Sequence, residues 1–190
     1  MPKQKKEAIA QPTNVHQQLI EAVGDGDVRA VCRCLDAGAD PNTRGADGRP
    51  LFFALGRWPR DPWPIRGEII RAGADVTVRD EVGSTILHAA AGADHVETVE
   101  LVLGHGMDIE ILDHFGETAL HEAARCGALN AVKALIESGA DVFAENPHGK
   151  TPKDLIDYND VVTCYEIEFE LEQAMAEEAD DQDDDDEVTE

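Results

Sequence analysis

The sequence predicts an all-α solenoid of stacked helix-turn-helix units with β-turn fingertips. A Gly-x-Asp landmark recurs at four places, with steps of 35, 33 and 33 residues between them. A single glycine recurs in phase with this landmark and with the same steps. Two independent landmarks that share one period indicate an internal repeat, and repeats of this length are typical of solenoids. The first landmark is at Gly38-Ala39-Asp40, Gly73-Ala74-Asp75, Gly106-Met107-Asp108 and Gly139-Ala140-Asp141, and the second is at Gly48, Gly83, Gly116 and Gly149.

The segments between these landmarks predict two short helices in each unit. Thr85-Ile86-Leu87-His88 and Thr118-Ala119-Leu120-His121 both precede alanine-rich stretches. The threonine is expected as an N-cap, because its hydroxyl can accept a backbone N–H of the first turn. Leucine with small alanines gives an apolar stripe that the next helix can approach closely. A second helix, such as 96–103, is expected to end before Gly106, a suitable C′ residue.

These residues make the sequence similar to the ankyrin-repeat family. The two boxes, Thr85–His88 and Thr118–His121, resemble the family's Thr-Pro-Leu-His box with the proline replaced, and the Gly-Ala-Asp ends and the period of about 33 agree. The resemblance covers about residues 15–157 and implies that the box histidines serve the structure. It divides the chain into units at about 15–45, 46–79, 80–112 and 113–145, with a capping unit at 146–157.

The units at the two ends depart from the pattern as capping repeats do. Unit one has no box before its helices, and unit five has Lys153 and Asp154 where leucine and histidine are expected. A polar outer face is needed where stacking stops. Unit two is two residues longer than its neighbours, and its proline-rich stretch 56–64 is expected in the loop between its helices.

The two termini are predicted from composition. Residues 1–14 are expected to be flexible, and 158–179 are predicted to form a C-terminal capping helix. Within this helix, 165–172 alternates with period two, which is a strand pattern. A solenoid end, however, offers a helix to stack on and no sheet to join. We expect Tyr165 and Phe169, with Leu171 as a further contact, to pack on unit five, and the acidic run 180–190 to be disordered.

The charge of the chain excludes some classes of partner. Its net charge is −24, and fourteen of its 40 Asp and Glu residues lie in 166–190, which contains no Lys or Arg. Nucleic-acid binding requires a basic footprint, so no nucleic acid and no anionic membrane surface is expected as a partner. The natural complement is a basic protein. No apolar run approaches a membrane span and 1–13 has no secretory signal, so a cytoplasmic or nuclear location and a monomeric free state are expected.

Motifs of catalysis and metal binding are absent from the sequence, and we expect no enzyme activity and no cofactor. The four cysteines have neither zinc spacing nor a disulfide framework. No pair of the seven histidines has metal-ligand spacing within a repeat. Gly149-Lys150-Thr151 ends like a phosphate-binding loop, but Ala144 stands where that loop requires glycine. The acidic run 180–190 lacks the glycine and the spacing of a calcium loop.

The family resemblance implies that the turn tips and the exposed side of each first helix bind the partner. Phe115 is at a predicted turn tip, where folding alone gains little from an aromatic side chain, so we favour a binding role. Trp58 is also favoured for binding, whereas Trp63 is as well explained by covering the irregular second unit; Trp and Arg are enriched in binding hot spots. The expected partner-binding residues are Arg44, Asp47, Arg49, Arg57, Trp58, Arg79, Glu81, Val82, Leu112, His114, Phe115, Glu117, Arg125 and His148.

Three functions of a protein-binding chain stay open at this point. The first is a dedicated inhibitor of one basic protein, such as the ankyrin-like immunity proteins of bacterial toxin systems, which are of this size. The second is an adaptor or regulatory scaffold, and the third is an acidic chaperone of a basic protein. Three modes of contact are also open: the partner meets the acidic tail and the outer faces, an acidic patch of the partner meets the arginine-rich early units of the recognition face, or the tail folds back over this basic groove and releases it on binding. The tail could otherwise serve only to solubilise the chain.

Overall fold

The computed structural model describes residues 12–45, 48–51, 63–157 and 161–185. Over these residues the chain is helical, with no strand and a single isolated bridge between Arg44 and Pro50, so the predicted all-α class is confirmed. The α-helices are α1 (Pro12–Asp25), α2 (Val28–Asp36), α3 (Trp63–Arg71), α4 (Ile86–Gly92), α5 (Val96–Gly104), α6 (Ala119–Cys126), α7 (Leu129–Glu137) and α8 (Val161–Asp185), with a short 3-10 helix at Lys153–Leu155.

The chain divides into two compact units, and the first comprises 1–75. Its helix α2 packs against both α1 and α3. Leu19, Val31 and Ile69 are fully buried, as expected of an apolar stripe on each helix. The Asp27 carboxylate caps α2 by accepting the N–H of Ala30 at 3.0 Å.

The second unit comprises 76–190 and contains the regular repeats. Within it, α4 packs on α6, and α5 packs on α7, so equivalent helices of successive repeats form two layers. The stripes predicted from the boxes are buried, with Leu87, Ala90, Leu120 and Ala123 at 1% exposure or less. Gly92 allows the close approach, because a Cβ there would lie 2.9 Å from Cγ of Glu122.

The loop between α4 and α5 ties its repeat to the following one. Asp94 has a positive φ of 57°, and its counterpart 33 residues later is Gly127 with φ 72°. The Asp94 carboxylate accepts the backbone N–H of Ala131 and the side-chain amide of Asn130, both at 2.7 Å. It thus caps the N-terminus of α7, which compensates for a backbone conformation that favours glycine.

The C-terminal helix corrects one prediction about its packing face. The expected contacts of Tyr165 and Phe169 with the repeats are wrong, because these side chains are 64% and 57% exposed. Leu171 is buried as expected, and Ile167 is buried with it. On a helix each residue advances by about 100°, so a period-two pattern places alternate residues on opposite sides rather than on one face.

The same helix also differs in length from the predicted one. It runs to Asp185 and so includes 180–185, the first part of the segment expected to be disordered, while 186–190 lie outside the described residues. Extending an existing helix adds one hydrogen bond for each residue fixed, whereas only nucleation is costly. An acidic composition alone therefore does not end a helix that tertiary packing has already started.

Candidate functional site

The fingertips of the second unit are closed by one side chain in each repeat. A side-chain oxygen at the position three before the turn glycine accepts two backbone N–H groups of its own turn, at 2.8–3.2 Å. These residues recur every 33 positions in the sequence, and this period is the signal by which their shared role could be found. The acceptors are Asp80 for Val82 and Ser84, Asp113 for Phe115 and Glu117, and Asn146 for His148 and Lys150.

Neighbouring fingertips are joined side by side. The backbone N–H of His114 donates to the carbonyl of Val82 at 3.0 Å. Arg79 donates through Nη1 to the carbonyls of Gly83 at 2.7 Å and Leu112 at 2.5 Å. The turn glycine cannot be replaced, since a Cβ on Gly83 would lie 2.4 Å from the His114 ring at a φ of 78°. The fingertips around Gly83 and Gly116 therefore form a continuous hydrogen-bonded row.

This row exposes three large apolar side chains. Val82 and Phe115 occupy the same position in successive fingertips and are 43% and 60% exposed. Leu112 begins the Phe115 fingertip and is 50% exposed. The next residue in register, His148, is also exposed. We call Val82, Leu112, Phe115 and His148 the fingertip row.

An ion-pair network borders the fingertip row on the first helix of its repeat. The Arg125 guanidinium pairs with Glu122 and, at 3.3 Å, with Glu117. Glu117 also accepts a hydrogen bond from the Asn146 side chain at 3.3 Å. Two of the expected partner-binding residues, Glu117 and Arg125, are thus held by contacts within the unit, which fixes their positions beside the row.

The box histidines connect the helices to the fingertips. Nδ1 of His88 accepts the N–H and the hydroxyl of Thr85, at 3.3 and 3.0 Å, and Nε2 donates to the carbonyl of Glu117 at 3.0 Å. His121 repeats this arrangement with Thr118 and the carbonyl of Lys150. Burial lowers the pKa of His88, which favours the neutral ring that these bonds require. The structural role expected for these histidines is confirmed.

Metal binding and thiol reactivity each require a particular arrangement of side chains near the site. No group of three or more His, Cys, Asp or Glu side chains in this part of the chain could hold a metal ion. Cys126, on the same helix as Arg125, is exposed and its thiol donates to Glu122. Its pKa is raised by desolvation and by the Glu122 carboxylate, so the thiol stays protonated at neutral pH.

The remaining expected residues have varied positions. Arg44 donates to the carbonyl of Gly48 at 2.9 Å, as Arg79 does to Gly83 in its own fingertip. Glu81 and His114 are exposed at the fingertips of the second unit, and Arg49 is exposed in the first unit. Asp47, Arg57 and Trp58 lie outside the described residues, as does the side chain of Trp63.

Comparison with protein families identifies these repeats. Residues 67–146 match the family model described as ankyrin repeats (3 copies), so this part of the chain consists of ankyrin repeats and the predicted resemblance is confirmed. Ankyrin repeats generally serve as non-catalytic protein–protein interaction modules, and the chain contains such a module. No helix in the described part of the chain is long and apolar enough to cross a membrane.

Proposed function

We propose that the chain binds one specific, basic partner protein through the fingertip row and inhibits it by covering its working surface. The observation that carries this proposal is the exposure of Phe115. Its backbone N–H donates to Asp113, and the preceding residue, His114, donates to Val82 of the adjoining tip, so a large aromatic side chain is presented on a hydrogen-bonded turn. Aromatic anchors that are fixed before binding lose little conformational entropy on association.

The charge of the chain supports a basic partner. The apolar centre of the row lies between the exposed Glu81 and Glu145, and the whole chain carries a net charge of −24. Such a field accelerates association with a positively charged protein and opposes self-association of the free chain, so we propose a monomer before binding. The affinity itself would come from Phe115 and its apolar neighbours.

The first experiment is an affinity capture from the source cell with the full chain and with its Phe115→Ala variant. We expect the variant to bind the captured partner more weakly by at least about 1 kcal/mol, with an unchanged fold. Phe143→Ala is the matched control, because Phe143 is also an exposed phenylalanine of the second unit but lies outside the fingertip row. Equal affinity of the Phe115→Ala variant would remove the fingertip row from the proposal.

Inhibition is tested on the captured partner. If a single basic protein is captured stoichiometrically and loses its activity in the complex, the inhibitor proposal is supported. If that protein is a toxin, the chain would act as its immunity protein. Several unrelated partners whose binding is insensitive to salt would instead favour an adaptor. A truncation after Ala179 that abolishes protection of a basic protein would favour a chaperone that acts through its acidic end.

A further inference from the structure

Helix α8 carries apolar side chains on two opposite sides. On one side, Ile167 and Leu171 are fully buried. On the other side, Tyr165 and Phe169 are one turn apart and are largely exposed. An amphipathic surface helix normally has one apolar stripe, and a helix that is apolar on more than one side is buried by more than one neighbour. The second side of α8 therefore lacks a neighbour among the described residues.

The contacts that attach α8 to the repeats do not use the aromatic pair. The buried side packs on α7, and Lys133 binds Glu170 at 2.9 Å. Lys153 binds Glu168 at 3.6 Å and Glu172 at 2.5 Å. These contacts hold the helix in place without Tyr165 or Phe169. Two exposed aromatic side chains on a rigid helix are typical of a docking surface rather than of a capping helix.

The acidic charge of α8 indicates which kind of partner could bind this surface. The segment 161–185 contains no Lys or Arg, and Glu166 and Glu177 are exposed beside or beyond the aromatic pair. A second copy of the chain would bring the same acidic helix against this one and be repelled. A positively charged partner would be attracted, and its Lys or Arg side chains could also lie over the aromatic rings as cation–π contacts.

We propose that Tyr165 and Phe169 form a second docking surface, which takes an amphipathic partner helix flanked by Lys or Arg. Side chains four residues apart make a ridge that fits the groove of another helix, with apolar side chains at the centre and charges at the edges. This surface shares no residue with the fingertip row, so either surface can fail its test without the other.

The test uses a labelled synthetic peptide of about 18 residues, helical in design, with Leu on one face and Lys on the other. Fluorescence anisotropy measures its binding to the full chain at about 0.15 M salt, where long-range attraction is screened. We expect the double variant Tyr165→Ala with Phe169→Ala to bind about tenfold more weakly. Phe143→Ala should stay within about twofold of the natural chain, because it removes an exposed phenylalanine that lies in neither surface.

Three outcomes would overturn the proposal. One is unchanged peptide affinity in the double variant, with circular dichroism showing that its helix content is intact. Another is equal binding of a peptide of the same composition whose leucines are spread around the helix, because the acidic charge alone would then explain binding. The third is sedimentation of the natural chain as a dimer and of the double variant as a monomer, since a second copy of the chain would then occupy the surface.

Discussion

The stacked repeats and the open end of the second unit solve the same capping problem with different side chains. In the stacked repeats, Thr85 and Thr118 donate to a histidine three residues later. At the end of the series Thr151 donates through its N–H and its hydroxyl to the Asp154 carboxylate, at 2.9 and 3.0 Å. The start of the helix is therefore capped in these three repeats, whether the acceptor is an imidazole or a carboxylate.

The stacked repeats differ from the open end in the second ring nitrogen of the box histidine, Nε2. Nε2 of His88 and Nε2 of His121 reach the carbonyls of Glu117 and Lys150, which close the fingertips of the following repeats. Asp154 has no group equivalent to Nε2, and no further repeat follows it in the described chain. Histidine is thus needed where one repeat must be tied to the next, and an acid is sufficient where stacking stops.

The residue before the box histidine also differs between the stacked repeats and the open end. Leu120 is buried between the stacked helices, whereas its counterpart 33 residues later, Lys153, pairs with Glu168 and Glu172 of α8. Ile167 and Leu171 are buried on the side of α8 that packs on α7. The last repeat is therefore reduced to a short 3-10 turn that joins the stack to the C-terminal helix.

The largest expected effect concerns the contrast between the buried Leu120 and its exposed counterpart Lys153. Leu120→Ala should lower the free energy of unfolding by about 2–5 kcal/mol, because the side chain is 1% exposed and its loss leaves a cavity. Lys153→Ala at the equivalent position should cost much less, since it removes only surface ion pairs. Urea denaturation of both variants measures the two values, and similar losses would contradict the assignment of the two positions.

The contrast between histidine in the stacked repeats and aspartate at the open end is tested by substituting asparagine for His88 and for Asp154. In His88→Asn the amide oxygen can still cap Thr85, but the side chain is too short to reach the carbonyl of Glu117. We expect a loss of about 1–2 kcal/mol from one missing hydrogen bond and a small void. Asp154→Asn should stay within about 1 kcal/mol, because only the local cap is weakened. If both substitutions cost the same in urea denaturation, the link through Nε2 contributes nothing.

Much of this arrangement was predictable from the repeat itself. Glycine and threonine positions recur with one period, and their roles follow from local backbone geometry that every unit shares. The fully buried Leu87 and Leu120 and the exposed tip at Phe115 follow from the same register. The fold class and the structural role of the box histidines therefore needed no structure.

The exposed face of α8 was not predictable in the same way. Only one copy of this helix exists in the chain, so no second copy could establish its register. The period-two pattern of 165–172 does not say whether the side with Ile167 or the side with Phe169 is buried. The surface of α7 decides this, and the sequence pattern does not contain it. Similarly, the cap from Asp94 to α7 joins residues 37 apart in sequence, and a local pattern gives no signal for it.

The pH dependence of stability should also separate the stacked repeats from the open end. Burial lowers the pKa of His88 below its usual value of about 6.5, and hydrogen bonds from Thr151 lower the pKa of Asp154 below about 3.9. The contribution of the neutral His88 ring is complete above its unfolded pKa and is lost as the pH falls through its folded pKa. The contribution of Asp154 is lost only at the much lower pH where its carboxyl group protonates.

We therefore expect the free energy of unfolding to decrease between about pH 7.5 and pH 5.5, and to decrease less steeply in His88→Asn. Urea denaturation at a series of pH values, with the variant beside the natural chain, isolates this histidine from the others. Parallel curves for the two proteins would show that His88 protonation is not coupled to folding.

The smallest expected effect concerns the hydrogen bond that joins successive Gly-x-Asp turns within each of the two compact units. In the first unit an amide, Oδ1 of Asn42, accepts the N–H of Asp75 at 2.7 Å. In the second unit a carboxylate, Oε1 of Glu110, accepts the N–H of Asp141 at 2.9 Å. Desolvation raises the pKa of Glu110, and the Asp141 and Asp108 charges raise it further. The charged form of Glu110 is thus less stable in the folded chain than in the unfolded chain, so an amide should serve this position better.

Glu110→Gln keeps an oxygen acceptor for Asp141 and removes the repulsion, so we expect a gain in unfolding free energy of up to about 0.5 kcal/mol at neutral pH. Because a raised folded pKa makes the natural chain recover stability as the pH falls through it, the gain should shrink toward about pH 4. Glu100→Gln removes the same charge from an exposed site on α5 and serves as the control. If thermal unfolding shows equal gains in both variants, the gain reflects net charge alone, and the amide of Asn42 has no advantage over the carboxylate of Glu110.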